Sequence, residues 1–110
     1  VSASDEKVWV DGLTAFYPIF RYLEAAIDDS DDDSLLRLVD VPGMRRREAF
    51  LEDFRRYDPQ QRFRNPPPTM GAAIQAYLKH LEELKSLNDV LLSAFVYHLY
   101  MGLFSGGQIL

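Results

Sequence analysis

Apolar residues recur at steps of three and four along most of this chain, which is the period of an α-helix. The first run spans residues 4–27, with Ser4 as the predicted N-cap and acidic residues in the first turn. Pro18 lies inside this run and removes one backbone hydrogen bond, so we expect the helix to be kinked or split there. Three further helices are predicted over residues 42–57, 69–87 and 88–110.

The two middle helices each carry one apolar stripe. Pro42 suits the first position of the second helix, and a stiff extended connection through residues 66–68 follows that helix. We expect Thr69 to cap the third helix and His80 to lie at the surface or boundary of its stripe. The predicted stripes are Ala49, Phe50, Phe54 and Tyr57 in the second helix, and Ile74, Tyr77, Leu78, Leu81 and Leu84 in the third.

The last helix is apolar on nearly every face from Val90 to Phe104, so we predict that it is central and covered on all sides. This stretch is shorter than the roughly 20 residues that a bilayer span needs, so no membrane segment is predicted. Its continuation holds three glycines, Gly102, Gly106 and Gly107. Either the helix frays there toward a C-cap, or a flat group approaches its backbone closely.

Composition narrows the possible functions. A length of 110 residues predicts one domain, and 47% hydrophobic with 26% charged residues excludes global disorder. The chain has no cysteine, which excludes disulfides, thiolate metal sites and cysteine nucleophiles. The net charge of −5 argues against broad nucleic-acid binding.

The charges are unevenly distributed. Residues 28–33 contain five aspartates, which favours a solvated loop over a calcium site because the glycine turn and distal glutamate of a calcium loop are missing. Seven of the twelve basic residues lie between Arg45 and Arg64. This basic segment is either a solvated face that balances the aspartates or a surface for an anionic ligand or an acidic partner.

Residues 100–110, Tyr-Met-Gly-Leu-Phe-Ser-Gly-Gly-Gln-Ile-Leu, resemble the distal helix of the heme oxygenases, whose signature is Tyr-Leu-Gly-Asp-Leu-Ser-Gly-Gly-Gln. Residues 16–24, 42–54 and 76–81 are similar, in the same order, to earlier helices of that family, and residues 7–17 resemble its invertebrate members in particular. The resemblance implies an all-α fold, a partial heme oxygenase-like bundle of about four helices over residues 1–110. The family's proximal-histidine helix and C-terminal helices have no counterpart here.

The family's distal helix bends over heme, and its glycine backbone touches the porphyrin. By resemblance, Gly102 and Gly106 contact heme and Gly107 allows the bend, while Tyr97 matches a tyrosine near the heme edge, with core packing as its default role. His98 lies four residues before Gly102 and should share its helix face. It is either a ligand of heme iron or a histidine that is hydrogen-bonded within the core.

Three positions depart from the family pattern. Leu103 stands where the family has the distal aspartate that organises a proton-donating water network, Phe20 stands for a common tyrosine, and Leu99 for an arginine. Apolar walls suit a porphyrin, but they cannot hold a proton-donating water. The resemblance therefore implies heme binding at Phe20, Tyr97, His98, Gly102, Gly106 and Gly107, with no confident catalytic residue.

Two functions follow from this resemblance. The first is oxidative cleavage of heme to biliverdin, carbon monoxide and ferrous iron by the full-length protein, with heme as substrate and cofactor and an NADPH-dependent reductase as electron donor. Residues 1–110 alone are then expected to be inactive. The alternative is a degenerate, non-catalytic heme-binding or structural module. We also expect an intracellular protein, cytoplasmic or membrane-associated through segments outside this chain, and a homodimer that covers the apolar end at Ile109 and Leu110.

Overall fold

Four α-helices form most of the computed structural model, which describes residues 3–109 and the side chains of residues 5–102. No strand occurs within residues 3–109, which confirms the all-α prediction. Short 3-10 turns precede α2, α3 and α4 at Leu35–Val39, Arg62–Arg64 and Asp89–Leu91. The helices are α1 (Ala3–Asp29), α2 (Arg47–Tyr57), α3 (Pro68–Leu87) and α4 (Leu92–Ile109).

The long helix α1 supplies most of the core. It runs without interruption through Pro18, so the alternative of a split helix is wrong. Its buried stripe packs mainly against α2 and α3, and it meets α4 at Tyr100. This packing outweighs the single backbone bond that proline removes. The fully buried side chains at its centre are Leu23 and Ile27, joined by Phe54 of α2, Leu81 of α3, and Leu92, Val96 and Tyr100 of α4.

Helix α2 begins at Arg47, five residues later than the sequence pattern predicted. The intervening residues form a turn in which Gly43 has a φ of 82°, a left-handed conformation that favours glycine. Pro42 therefore lies in this turn rather than at a first helical position. Of the predicted stripe, Phe50 and Phe54 are buried, Tyr57 is half-buried and Ala49 is exposed.

Helix α3 begins one residue earlier than predicted, with Pro68 in its first turn. Thr69 is thus inside the helix rather than its N-cap, and the capping position belongs to Pro67. Ile74 and Leu81 are buried, whereas the predicted stripe residue Tyr77 is exposed. His80 is exposed, as predicted for a surface histidine.

Over residues 92–102, where its side chains are described, helix α4 is buried on one face only, so the prediction of a central helix covered on all sides is wrong for this part. Its buried side chains, Leu92, Val96 and Tyr100, recur at four-residue steps and face the rest of the described bundle. Asn88 caps the preceding turn, because its side-chain oxygen accepts a hydrogen bond from the Val90 amide at 3.1 Å. Among the described residues, no helix has both the length and the apolar character needed to cross a bilayer.

The charged segments pair with each other. Arg45 bridges Asp28 at 2.9 Å and Asp40 at 2.8 Å, which ties the end of α1 to the turn before α2. The hydrogen bond from Arg45 lowers the pKa of Asp40 below its usual value. Asp31, Asp32 and Asp33 are exposed, as expected for a solvated loop.

Candidate functional site

The exposed side of α4 carries most of the residues that the sequence selected. Tyr97 and Met101 are exposed over 68% and 47% of their surfaces, and His98 and Gly102 are exposed as well. Because His98 and Gly102 are four residues apart, they are neighbours along one face of the helix. We call this surface, formed by Tyr97, His98, Met101 and Gly102, the Gly102 face.

Gly102 borders open space. A Cβ atom added there would meet no atom of a neighbouring element within 4 Å among the described residues. Close packing against the rest of the bundle therefore does not explain why the helix carries glycine at this position, which costs about 1 kcal/mol relative to alanine. The main chain at Gly102 is accessible to a flat group from outside.

The helix does not end at Gly102, since α4 continues to Ile109. The fraying suggested by the glycine pattern is thus not seen in the backbone up to that residue. Leu103, Gly106 and Gly107 belong to this continuation, but their side-chain surroundings lie outside the described residues.

Tyr100 anchors the opposite side of α4. Its side chain is 1% exposed, and its hydroxyl donates a hydrogen bond of 2.7 Å to the Glu24 carboxylate on α1. Burial, reinforced by this bond to Glu24, raises the pKa of Tyr100 far above its usual value. The phenol therefore stays protonated and remains a hydrogen-bond donor at any physiological pH.

Glu24 joins three helices at one buried carboxylate. Besides the Tyr100 hydroxyl, its oxygens accept hydrogen bonds from the backbone amides of Arg46 at 2.8 Å and Arg47 at 3.3 Å. These amides lie at the start of α2, where N–H groups lack partners within the helix and favour a negative charge. The carboxylate thus caps α2 and holds α4 through Tyr100.

Phe20 lies in the core beneath α4 rather than on the Gly102 face. Its ring meets Tyr100 edge to face, with centroids 4.7 Å apart, and contacts Phe50 of α2 at 5.2 Å. The structure therefore brings Tyr97, His98 and Gly102 together on one exposed surface and places Phe20 underneath it. Glu24 was missed from the sequence, although an acidic residue within an apolar helical run was a usable signal.

An apolar depression of about 200 Å³ borders the Gly102 face. Leu99 lines it from α4, three residues before Gly102 and therefore adjacent on the helix surface. Phe16 of α1, which is 52% exposed, and Tyr77 of α3 form the other walls. The surface beside Gly102 is thus apolar and suits a hydrophobic ligand.

The chemistry available on the Gly102 face is limited. His98 supplies one imidazole, which can ligate a metal or form a hydrogen bond. The other three members provide apolar surface, a phenol and bare main chain, and none carries a carboxylate. The face can therefore hold a flat apolar ligand, and the His98 imidazole could reach a metal at the centre of that ligand. The described residues of the face include no carboxylic acid for proton transfer.

The basic segment is largely neutralised by its own surroundings. Ion pairs occupy four of its arginines: Arg45, Arg47, Arg55 and Arg62. Arg62 bonds the buried Asp58, whose carboxylate also accepts the backbone amide of Phe63 at 2.9 Å. These contacts favour the solvated, self-balancing alternative for most of the segment.

Comparison with known proteins gives one result. The family model described as heme oxygenase matches residues 2–110, which is nearly the whole chain. Searches among curated proteins and among solved structures gave no significant match.

Proposed function

The chain belongs to the heme oxygenase family, and on this premise we propose that the protein binds heme with one face of the porphyrin against the Gly102 face of α4. The open space over Gly102 is the observation that carries this proposal. A planar ring needs contact over a broad surface, and a bare main chain lets it approach more closely than any side chain would. The apolar depression at Leu99 extends the hydrophobic surface on one side.

Each member of the Gly102 face has a role in this proposal. The Gly102 main chain and Met101 contact the ring, and Tyr97 packs at its edge. His98 would ligate the heme iron in the form that binds heme without turnover, because an imidazole bound on this face would occupy the position that dioxygen needs. By the family motif, Gly106 and Gly107 extend the same bare surface along the helix.

We further propose that the full-length protein cleaves heme oxidatively to biliverdin, carbon monoxide and ferrous iron, with electrons from an NADPH-dependent reductase. In this chemistry heme is both the substrate and the group that activates dioxygen. Residues 1–110 contain no counterpart of the family's proximal histidine, so we expect no turnover by this chain alone. For reductase docking we propose Arg56 of the basic segment, whose exposed guanidinium lies over the Tyr57 ring and forms no ion pair within 4.0 Å among the described residues.

A second candidate function is heme binding without turnover. It is favoured by the apolar residues that stand where the family has polar members of its proton-donating network: Phe20, Leu99 and Leu103. Leu99 lines an apolar depression, and Phe20 is buried in the core. With Leu103 at the distal aspartate position, no carboxylate is available there to hold a proton-donating water. Both candidates share the same heme surface and differ in proton delivery.

Heme titration of the chain, followed by the Soret band, tests the shared surface. We expect saturable binding, and a loss of affinity of about tenfold or more in Gly102→Leu, equivalent to ~1.4 kcal/mol. Ala49→Leu, at an exposed alanine of α2, is the matched control for added bulk. Unchanged affinity in Gly102→Leu would exclude the Gly102 face as the heme contact.

Turnover assays separate the two functions. The heme-loaded full-length protein is given NADPH, a reductase and oxygen, and biliverdin is followed by its absorbance. Formation of biliverdin supports oxidative cleavage of heme as the function. A higher rate of biliverdin formation in Leu103→Asp would show that proton delivery limits the wild-type rate. Absence of biliverdin in both forms, with heme binding retained, supports the second function.

We also propose that the protein forms a homodimer through apolar surface that the described bundle leaves uncovered, including Tyr97 and Met101 on α4. Because the same face is proposed to bind heme, dimerisation and heme binding should compete. Sedimentation with and without heme tests this, and a monomer under both conditions would contradict it.

A further inference from the structure

A second cavity, of about 550 Å³, lies between α1, the turn Arg62–Arg64 and α3. None of its described lining residues belongs to α4, so it is separate from the Gly102 face. Its volume falls within the range of pockets that hold small organic molecules. We call it the Arg21 cavity, after the α1 residue at its wall.

One part of the Arg21 cavity is aromatic and apolar. Tyr17 and Phe63 line it together, with their rings edge to face at 5.8 Å. Phe63 is held in place by stacking on Phe54 of α2, with ring centroids 4.0 Å apart. Ile74 and Leu78 of α3 complete this wall, so the apolar part is built from packed side chains on three elements.

The polar part of the cavity is cationic. Arg21 lines it and forms no ion pair or hydrogen bond with any described residue. Arg64 also lines it, and its Nε donates to the neutral Gln61 side chain at 2.6 Å while its guanidinium lies over the Phe63 ring at 5.0 Å. Neither guanidinium is therefore paired with a carboxylate in the part of the chain that the structure describes.

This charge contrasts with the rest of the molecule. The chain carries 17 acidic residues and a net charge of −5, yet within residues 5–102 no aspartate or glutamate lines the Arg21 cavity. The Glu82 carboxylate accepts a hydrogen bond from the Tyr22 hydroxyl, and Glu82 is not one of the residues that line the cavity. Guanidinium groups are weakly hydrated and bind carboxylates or phosphates in a planar geometry.

We propose that the Arg21 cavity binds a small organic anion with an apolar body. The anionic group lies between Arg21 and Arg64, and the body rests on Tyr17, Phe63 and Leu78. Gln75, which also lines the cavity, offers an amide for a further hydrogen bond. This proposal does not depend on heme binding. The proposed heme contacts of the Gly102 face lie on α4, whereas the anion contacts lie on α1, α3 and the turn Arg62–Arg64.

Titration with 2-naphthoate, monitored by amide NMR, tests the site. We expect saturable shifts of the Gly71 backbone amide and the Gln75 side-chain amide, with no shift at Gly102. The neutral analogue 2-naphthol should bind at least about fivefold more weakly, because it lacks the charge that the arginines recognise. Equal binding of both probes, or shifts centred on Gly102, would overturn the proposal.

Arginine variants provide the second arm. Arg21→Gln and Arg64→Gln should each weaken naphthoate binding by about five- to tenfold, and the wild-type affinity should fall as salt rises. Arg56→Gln, which removes an exposed arginine outside the cavity, is the matched control. An equal loss in Arg56→Gln, or no loss in either cavity variant, would show that the anion is not bound between these two groups.

Discussion

Replacing Tyr100 by phenylalanine removes one hydroxyl from the centre of the bundle and leaves the ring in place. The lost contact is a buried hydrogen bond of 2.7 Å to the Glu24 carboxylate. Hydrogen bonds to charged groups contribute about 1.5–3 kcal/mol. The Glu24 oxygen that accepts it also accepts the Arg46 amide, so this oxygen keeps a partner after the change. We therefore expect Tyr100→Phe to lower the free energy of unfolding by about 1.5–2 kcal/mol, near the lower end of that range.

Glu24→Ala should cost more, because it leaves several groups without partners. The Tyr100 hydroxyl would be buried and unpaired, and the amides of Arg46 and Arg47 would lose their acceptor. A buried unsatisfied group costs about 1–3 kcal/mol, so the total should reach about 3 kcal/mol or more. The double variant should lose less than the sum, since both changes remove the same bond.

Urea unfolding followed by circular dichroism measures these free energies. Tyr97→Phe is the matched control, because it removes a hydroxyl from an exposed tyrosine of the same helix and should change the stability by less than about 0.5 kcal/mol. If Tyr100→Phe is as stable as Tyr97→Phe, the argument that Glu24 holds α4 is refuted.

Three further outcomes are expected. His98→Ala should change the absorption spectrum of bound heme, whereas His80→Ala, at an exposed histidine of α3, should leave the spectrum unchanged. If the spectrum of His98→Ala is the same as that of the wild type, His98 is not an iron ligand. Gly102→Ala should raise the free energy of unfolding of the heme-free chain by up to about 1 kcal/mol in urea, because no described residue of a neighbouring element lies within 4 Å of the added Cβ. A lower stability would show that this space is filled. Burial, together with the hydrogen bond to Glu82, raises the pKa of Tyr22, so its stabilising effect is present below the unfolded tyrosine pKa of about 10 and is lost as the pH rises through the folded value. Urea midpoints between pH 8 and 11 should therefore fall less steeply in Tyr22→Phe than in wild type, and parallel slopes would contradict this.

The helical period was sufficient to predict the four helices, because local apolar spacing directly reflects which face is buried. The start of α2 was not predictable in the same way. Pro42 and the residues after it satisfy the rules for a helix N-terminus, yet α2 begins at Arg47, where the Glu24 carboxylate meets the backbone amides. Glu24, which lies 22 residues before Arg46 along the chain, thus decides where α2 begins. The spacing of apolar residues within the helix contains no information about this long-range contact.

The site shows a similar division. The grouping of His98 and Gly102 follows from a four-residue spacing within one helix, so the sequence predicts it well. Which face of α4 is buried depends on neighbours from the turn Leu35–Val39, from α3 and from α1. A helix that is apolar all round does not encode that choice. Phe20 is an example, because the sequence motif suggested a heme contact and gave no sign that Tyr100 would cover the Phe20 ring.

The bond between Glu24 and Tyr100 joins residues that are 76 positions apart, so its formation closes one of the longest loops in the fold. Contacts of this kind form late, because chain entropy must be lost before they stabilise anything. We expect α4 to detach first when the bundle opens locally, with its amides exchanging hydrogen faster than those of α1. The proposed ligand surface thus lies on the helix that we expect to detach first, so a bound ligand should also slow this local opening.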